Sequence, residues 1–207
     1  MAIQVIVFDF DGTLVDSNRL KHQVFYELFP ETPAARSVVR DALKKHPEAH
    51  RAVTIRAVLE KLEPACLSTG ECRRLAELVD RYAGIVLERV AAADEMPGAT
   101  KVLKQLSARF ALYLSSATPE EPLRELVRRR GWEGWFRNVY GHPRRKEDVL
   151  REILALHSLP PDRMLVVGDG RSDRTSAEAV GCRLFLTGRD GTLYDLLKHP
   201  MVEPDIT

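Results

Sequence analysis

The sequence has no excess of either charge: 31 lysines and arginines stand against 30 aspartates and glutamates, a net charge of +1 over 207 residues. Without a basic or acidic imbalance there is no global electrostatic case for a nucleic-acid or membrane-surface partner. Cysteine is scarce as well. Cys66, Cys72 and Cys182 lack metal-ligand spacing and are odd in number, which excludes a closed disulfide framework and fits idle or buried thiols in a reducing compartment. The six histidines also lack metal spacing and are expected at the surface or locally paired. No apolar run approaches membrane-spanning length, and the amino terminus enters an apolar strand without a basic flank or a cleavage site. A cytoplasmic protein with no membrane partner is therefore expected. Internal repeats and low-complexity tracts are missing too, and with 44% hydrophobic and 29% charged residues the chain is expected to be ordered, either as one α/β domain with an insertion or as two modest domains.

What is present is concentrated first in residues 3 to 17. Ile3, Val5, Ile6, Val7 and Phe8 are β-branched or aromatic and crowded together, as suits a strand covered on both faces. The run breaks into Asp9-Phe10-Asp11-Gly12-Thr13. Two carboxylates at alternate positions just past a strand lie where open α/β sheets place ligands, and their mutual repulsion calls for a cation or a shared proton. The plainer alternative is a strand end running into a turn, where Asp and Gly are favoured.

Along the chain, residues 17 to 93 show helical spacing and no strand pattern. Asp16 and Ser17 offer a cap for the first helix, Thr32-Pro33 a cap and a first-turn proline for the second, and Ser68-Thr69-Gly70-Glu71 a capping box for the last. From Met96-Pro97-Gly98 onward, helices alternate with strands at 110–115, 136–140, 164–167 and 183–186. Thr118-Pro119-Glu120-Glu121 reads as the capped start of a helix closing on Arg128, Arg129 and Arg130, a solvated helix end rather than a nucleic-acid patch. Another helix runs from Lys146 to His157. Residues 200 to 207 read as a loose tail. The expectation is an α/β fold: a doubly wound, Rossmann-like parallel sheet in residues 1–16 and 94–207, with an all-helical insertion at 17–93.

Three further strand or helix ends bear on Asp9 and Asp11. One strand ends in Ser115-Ser116-Ala117-Thr118, whose hydroxyls and fresh helix amides suit phosphate oxygens. Another ends in Gly168-Asp169-Gly170-Arg171-Ser172-Asp173, and Lys146 opens the helix before it. Parallel strands end on one side of a sheet, so these groups can converge. Each has a plainer alternative: Asp169 and Asp173 as helix caps, Lys146 as part of a solvated basic helix start after Arg144 and Arg145, Ser116 as a helix-entry residue.

In these four motifs the chain resembles the haloacid-dehalogenase-like hydrolase superfamily, and within it the phosphoglycolate-phosphatase-like branch with a helical cap after the first strand. Asp9 to Thr13 match its first motif, Ser116 (with Ser115 as fallback) the second, Lys146 the third, and Gly168, Asp169 and Asp173 the fourth. The resemblance implies Mg²⁺-dependent hydrolysis of a small phosphorylated metabolite through an aspartyl-phosphate. Asp9 would be the nucleophile and Asp11 the acid and then the base. Mg²⁺ would sit on Asp9, Asp169 and the main-chain carbonyl of Asp11, while Asp173 orients Lys146 or a water on the metal. Lys146, Ser116 and the amides of Phe10 and Asp11 would hold the phosphate. Asp11 argues against the dehalogenase and ATPase branches. A sugar phosphomutase remains the alternative, weakened because Lys21, not His22, stands five residues after Asp16; a non-catalytic phosphometabolite-binding module is the other.

Overall fold

The apolar run that opens the chain forms strand β1, Val5–Phe8, and every residue in it is buried. The computed structural model describes residues 2–47, 49–67 and 72–202. Contacts divide the chain into Met1–Asp16 with Ala93–Thr207 as one unit and Ser17–Ala92 as the other.

The second unit is helical: α1 (Asn18–Glu27), α2 (Pro33–Lys45), α3 (Arg51–Leu62) and α4 (Arg73–Ala92). Thr32 caps α2, accepting the Ala35 amide at 3.2 Å, with Pro33 in the first turn. Ser17 stands at the N-cap of α1 without a side-chain cap bond, unlike its expected role. The capping box expected at Ser68–Glu71 lies outside the described residues. Val24, Phe25, Val39, Ile55, Leu59 and Leu78 make the core of this unit, where the Phe25 and Tyr82 rings lie 4.5 Å apart. Cys66 and Cys72 lie beside this core with their sulfurs 3.2 Å apart, as free thiols.

The first unit continues with α5 (Ala99–Ser107), β2 (Ala111–Pro119), α6 (Glu120–Arg129), β3 (Phe136–His142), α7 (Lys146–His157), β4 (Met164–Gly168), α8 (Arg171–Val180), β5 (Arg183–Leu186) and α9 (Leu193–Leu197). The five strands pair in parallel in the order β3-β2-β1-β4-β5. Val5, Val7, Tyr113 and Val166 on one face pack with Val149, Leu150 and Ile153 of α7 and Ala177 of α8. Ile6, Phe8, Leu112 and Leu114 alternate with them onto the other face and are wholly buried. Among the described residues no helix is long and apolar enough to cross a membrane.

Three local expectations change. Strand β2 does not stop at Ser115 but runs to Pro119, pairing with β3 as far as His142; the residue before a proline is held extended, so Thr118 stays in the strand conformation. Of the arginine run closing α6, Arg128 and Arg129 bond Glu125 in solvent, but Arg130 stacks on Trp132 and donates to the Ala93 carbonyl at 2.7 Å. Val202, within the expected tail, is fully buried and its carbonyl accepts from Arg109 at 2.6 Å, and the rest of that stretch, 203–207, lies outside the described residues.

Candidate active site

Strand register assembles the site. Phe8 lies level with Leu114 of β2 and Val167 of β4, so the next residues, Asp9, Ser115 and Gly168, come out side by side at the carboxyl edge of the sheet. The Asp9 amide donates to the Val167 carbonyl at 2.8 Å, extending the ladder by one bond. The chain then turns sharply. Leu14 and Val15 both donate to the Phe10 carbonyl, and Gly12 sits at φ +78°, a left-handed conformation that L side chains resist. Phe10 turns its ring into the core, edge-on to Trp132 at 6.4 Å.

Toward β4 the site is charged. The Lys146 ammonium, at the first position of α7, lies 3.0 Å from Asp9 Oδ1 and 2.6 Å from Asp173 Oδ1. Only 13% of the lysine side chain is exposed, so it is not part of a solvated basic helix start. Asp173 also accepts the Gly170 amide at 3.2 Å through its other oxygen, so it caps α8 and pairs with Lys146 at once. Gly168 makes room for it: a Cβ there would fall 2.1 Å from Asp173 Cγ. Asp169 is exposed and accepts the Thr13 hydroxyl at 3.3 Å.

Toward β2 the site presents hydroxyls. Asp11 Oδ2 accepts hydroxyls from Thr118 at 2.8 Å and Ser116 at 3.3 Å. Ser116 Oγ in turn accepts the Thr118 amide at 3.1 Å. Ser115 lines a small cavity with Asp9, Lys146 and Asp173, as strand alternation requires of its neighbour's opposite face. Sequence reasoning places the Thr118 hydroxyl among those suited to phosphate oxygens and at the start of α6, and misses its bond to Asp11; α6 begins beyond it with Pro119 at the N-cap and no side-chain cap bond. The signal was its spacing of two from Ser116, which puts both hydroxyls on one face of an extended segment.

Oxygens of Asp9, Asp169 and Asp173 lie within 4.8 Å of one another, and the Asp11 carboxylate is outside this cluster. Two carboxylates that close repel by about 3.5 kcal/mol at an effective dielectric of 20, and a divalent cation between them offsets this several-fold. Burial pushes Asp9 up to about 7; Lys146 works against that rise, while Asp173 and Asp11 add to it. Burial alone would discharge Lys146, yet Asp9 and Asp173 outweigh it and hold the ammonium well above its ordinary range. One lysine thus leaves the acids under-neutralised. Oxygen-only, anionic donors fit a hard divalent cation such as Mg²⁺.

Comparison with known proteins agrees with the family expected from the four motifs. A family model described as haloacid dehalogenase-like hydrolase matches residues 3–181. The phosphoglycolate phosphatase of Synechococcus elongatus is 29% identical over 182 residues, 86% of this chain and 81% of that protein. That of Cereibacter sphaeroides is 28% identical over 211 residues, 94% of this chain and 90% of that protein. A solved haloacid dehalogenase-like hydrolase from Streptococcus pneumoniae shares the fold, with a TM-score of 0.60 at 24% identity over 98% of this chain and 92% of its own.

Proposed function

We propose that this chain, which belongs to the haloacid dehalogenase-like hydrolase family, is a Mg²⁺-dependent phosphatase that hydrolyses a small phosphomonoester through an aspartyl-phosphate on Asp9. The observation that carries it is the division of labour between two acids two residues apart. Asp9 lies 3.0 Å from a buried lysine and next to two further acids, whereas Asp11 is held by two hydroxyls.

Asp9 attacks phosphorus; its oxygen–phosphorus bond forms as the bond to the leaving oxygen breaks, and Asp11 gives that oxygen its proton. In the second step Asp11, now ionised, takes a proton from water, whose oxygen displaces Asp9. Inorganic phosphate leaves, and both acids return to their starting states. Lys146, Ser116 and the amides of Phe10 and Asp11 hold the oxygens of the transferring group. Asp173 keeps Lys146 in place through their 2.6 Å bond. Asp9, Asp169 and the main-chain carbonyl of Asp11 would hold Mg²⁺, which supplies the positive charge a dianionic ester needs in order to approach a carboxylate. Residues 1–16 and 94–207 act as the catalytic core and residues 17–93 as a cap that selects the organic part of the substrate. The two bacterial relatives are named for phosphoglycolate, which makes it the first substrate to try.

The test is phosphate release from 2-phosphoglycolate, other small phosphomonoesters and para-nitrophenyl phosphate, with Mg²⁺ and with EDTA. Turnover that EDTA and Asp9→Asn each abolish is the expected result. Ordinary turnover by Asp9→Asn, or no Mg²⁺-dependent release from any ester, would overturn the proposal.

A further inference from the structure

We propose that Thr118 is a positioning residue for proton transfer: its hydroxyl pins one oxygen of Asp11 and so sets the plane in which that carboxyl meets the leaving oxygen. The inference rests on the phosphatase reading and deepens it. Thr118 makes the shorter of the two bonds to Asp11 Oδ2, 2.8 Å against 3.3 Å from Ser116. Ser116 Oγ is also engaged as an acceptor by the Thr118 amide, and is needed for phosphate oxygens when substrate is bound. Thr118 thus supplies the bond to Asp11 that can persist through the reaction.

Its surroundings suit that task. Thr118 is 8% exposed, so little water competes for the hydroxyl. It has no capping duty, because α6 takes Pro119 as its N-cap without a side-chain bond. The following proline confines Thr118 to extended backbone, which keeps its side chain on the Ser116 face. Branching at Cβ limits its χ1, so the hydroxyl is presented with little loss of rotamer freedom. A helix-capping threonine would place its oxygen toward α6 amides; this one places it on a carboxylate more than a hundred residues away in sequence.

A positioning role for the acid predicts a dependence on the leaving group that packing alone does not. Good leaving groups depart without a proton, whereas poor ones need Asp11. The experiment measures kcat/KM for a series of substituted phenyl phosphates with Mg²⁺ in wild type, Thr118→Val, Thr118→Ala and Thr118→Ser. For Thr118→Val, which keeps the shape and removes the hydroxyl, para-nitrophenyl phosphate should stay within about threefold of wild type. Phenyl phosphate should fall by roughly tenfold or more, a fraction of the 10²–10⁴ that general acid catalysis contributes. The plot of log kcat/KM against leaving-group pKa becomes steeper, and Thr118→Ser restores the wild-type slope. Thr118→Ala, which makes no new steric demand, should behave as Thr118→Val does and covers the case in which valine does not fold. Parallel lines for wild type and both hydroxyl-free variants, or a serine variant as steep as valine, overturn the inference alone. A wild-type protein inactive on every ester overturns the phosphatase reading, and this inference with it.

Discussion

The two flanks of strand β1 offer its exit loop different chemistry. On the β4 flank, Asp9 meets Lys146, Asp169 and Asp173, a crowded ionic cluster with more negative than positive charge. On the β2 flank, Asp11 accepts the hydroxyls of Ser116 and Thr118. Two aspartates separated by one residue therefore acquire different characters. One is set among charges that a cation and a lysine must hold together, and the other accepts two neutral hydroxyl donors, which is compatible with gaining and losing a proton. Local sequence makes the pair; the neighbours on each side make them different.

The comparison can be broken most severely on the charged flank. Lys146→Met leaves Asp9 and Asp173 buried without their partner, and breaking a buried pair costs about 3–5 kcal/mol. Thermal or urea unfolding should show that loss, and phosphate release should fall with it; an unchanged midpoint would mean that Lys146 is not the counter-ion its distances indicate. On the neutral flank, Asp11→Asn retains groups able to bond Ser116 and Thr118, so stability should hardly move. Turnover of phenyl phosphate should nonetheless fall by about 10²–10⁴. Equal damage to stability and turnover would show that the flanks do not differ as described.

Smaller effects sharpen the contrast. Gly168→Ala drives a Cβ into Asp173 and should cost about 1–3 kcal/mol of stability while loosening Lys146. Differential scanning calorimetry and phosphate release would report both; a neutral result would mean that Asp173 has room to retreat. A further effect is one of pH in metal-free protein. Asp9 is raised from 3.8 to about 7 by burial, so the folded state holds its proton more tightly than the unfolded chain does. Its contribution is present in full below the unfolded value and is lost as pH rises through the folded one. Wild-type Tm should thus decline between about pH 4 and about pH 7, each kcal/mol shifting it by roughly 2–4 °C. Asp9→Asn should flatten that decline, and Mg²⁺ should restore stability to wild type more than to the variant. Coincident pH profiles would remove the ionic strain assigned to this flank.

Much of the frame was legible beforehand. The bounds of α7 and β5 follow from apolar periodicity with turn residues on either side, and both occur as expected, at Lys146–His157 and Arg183–Leu186. Strand β2 runs four residues past the end of its apolar pattern, because Ser115-Ser116-Ala117-Thr118 has no apolar alternation. What keeps it extended is pairing with β3 and the proline after Thr118, a contact between strands that local pattern does not record. Lys146 was ambiguous for the same reason: three successive basic residues look alike in sequence, and only the third reaches acids from two other elements.

By itself the sequence determined that an apolar strand would end in two acids, that strands and helices would alternate after a helical insertion, and that three other element ends would carry hydroxyls, a lysine and more acids. Residue type, periodicity and turn chemistry are local properties, readable without coordinates. Only the tertiary structure decided that Asp11 faces Thr118 and that one lysine is shared by Asp9 and Asp173. Those pairings depend on register between strands far apart in the chain, where a shift of one residue would turn every side chain to the opposite face.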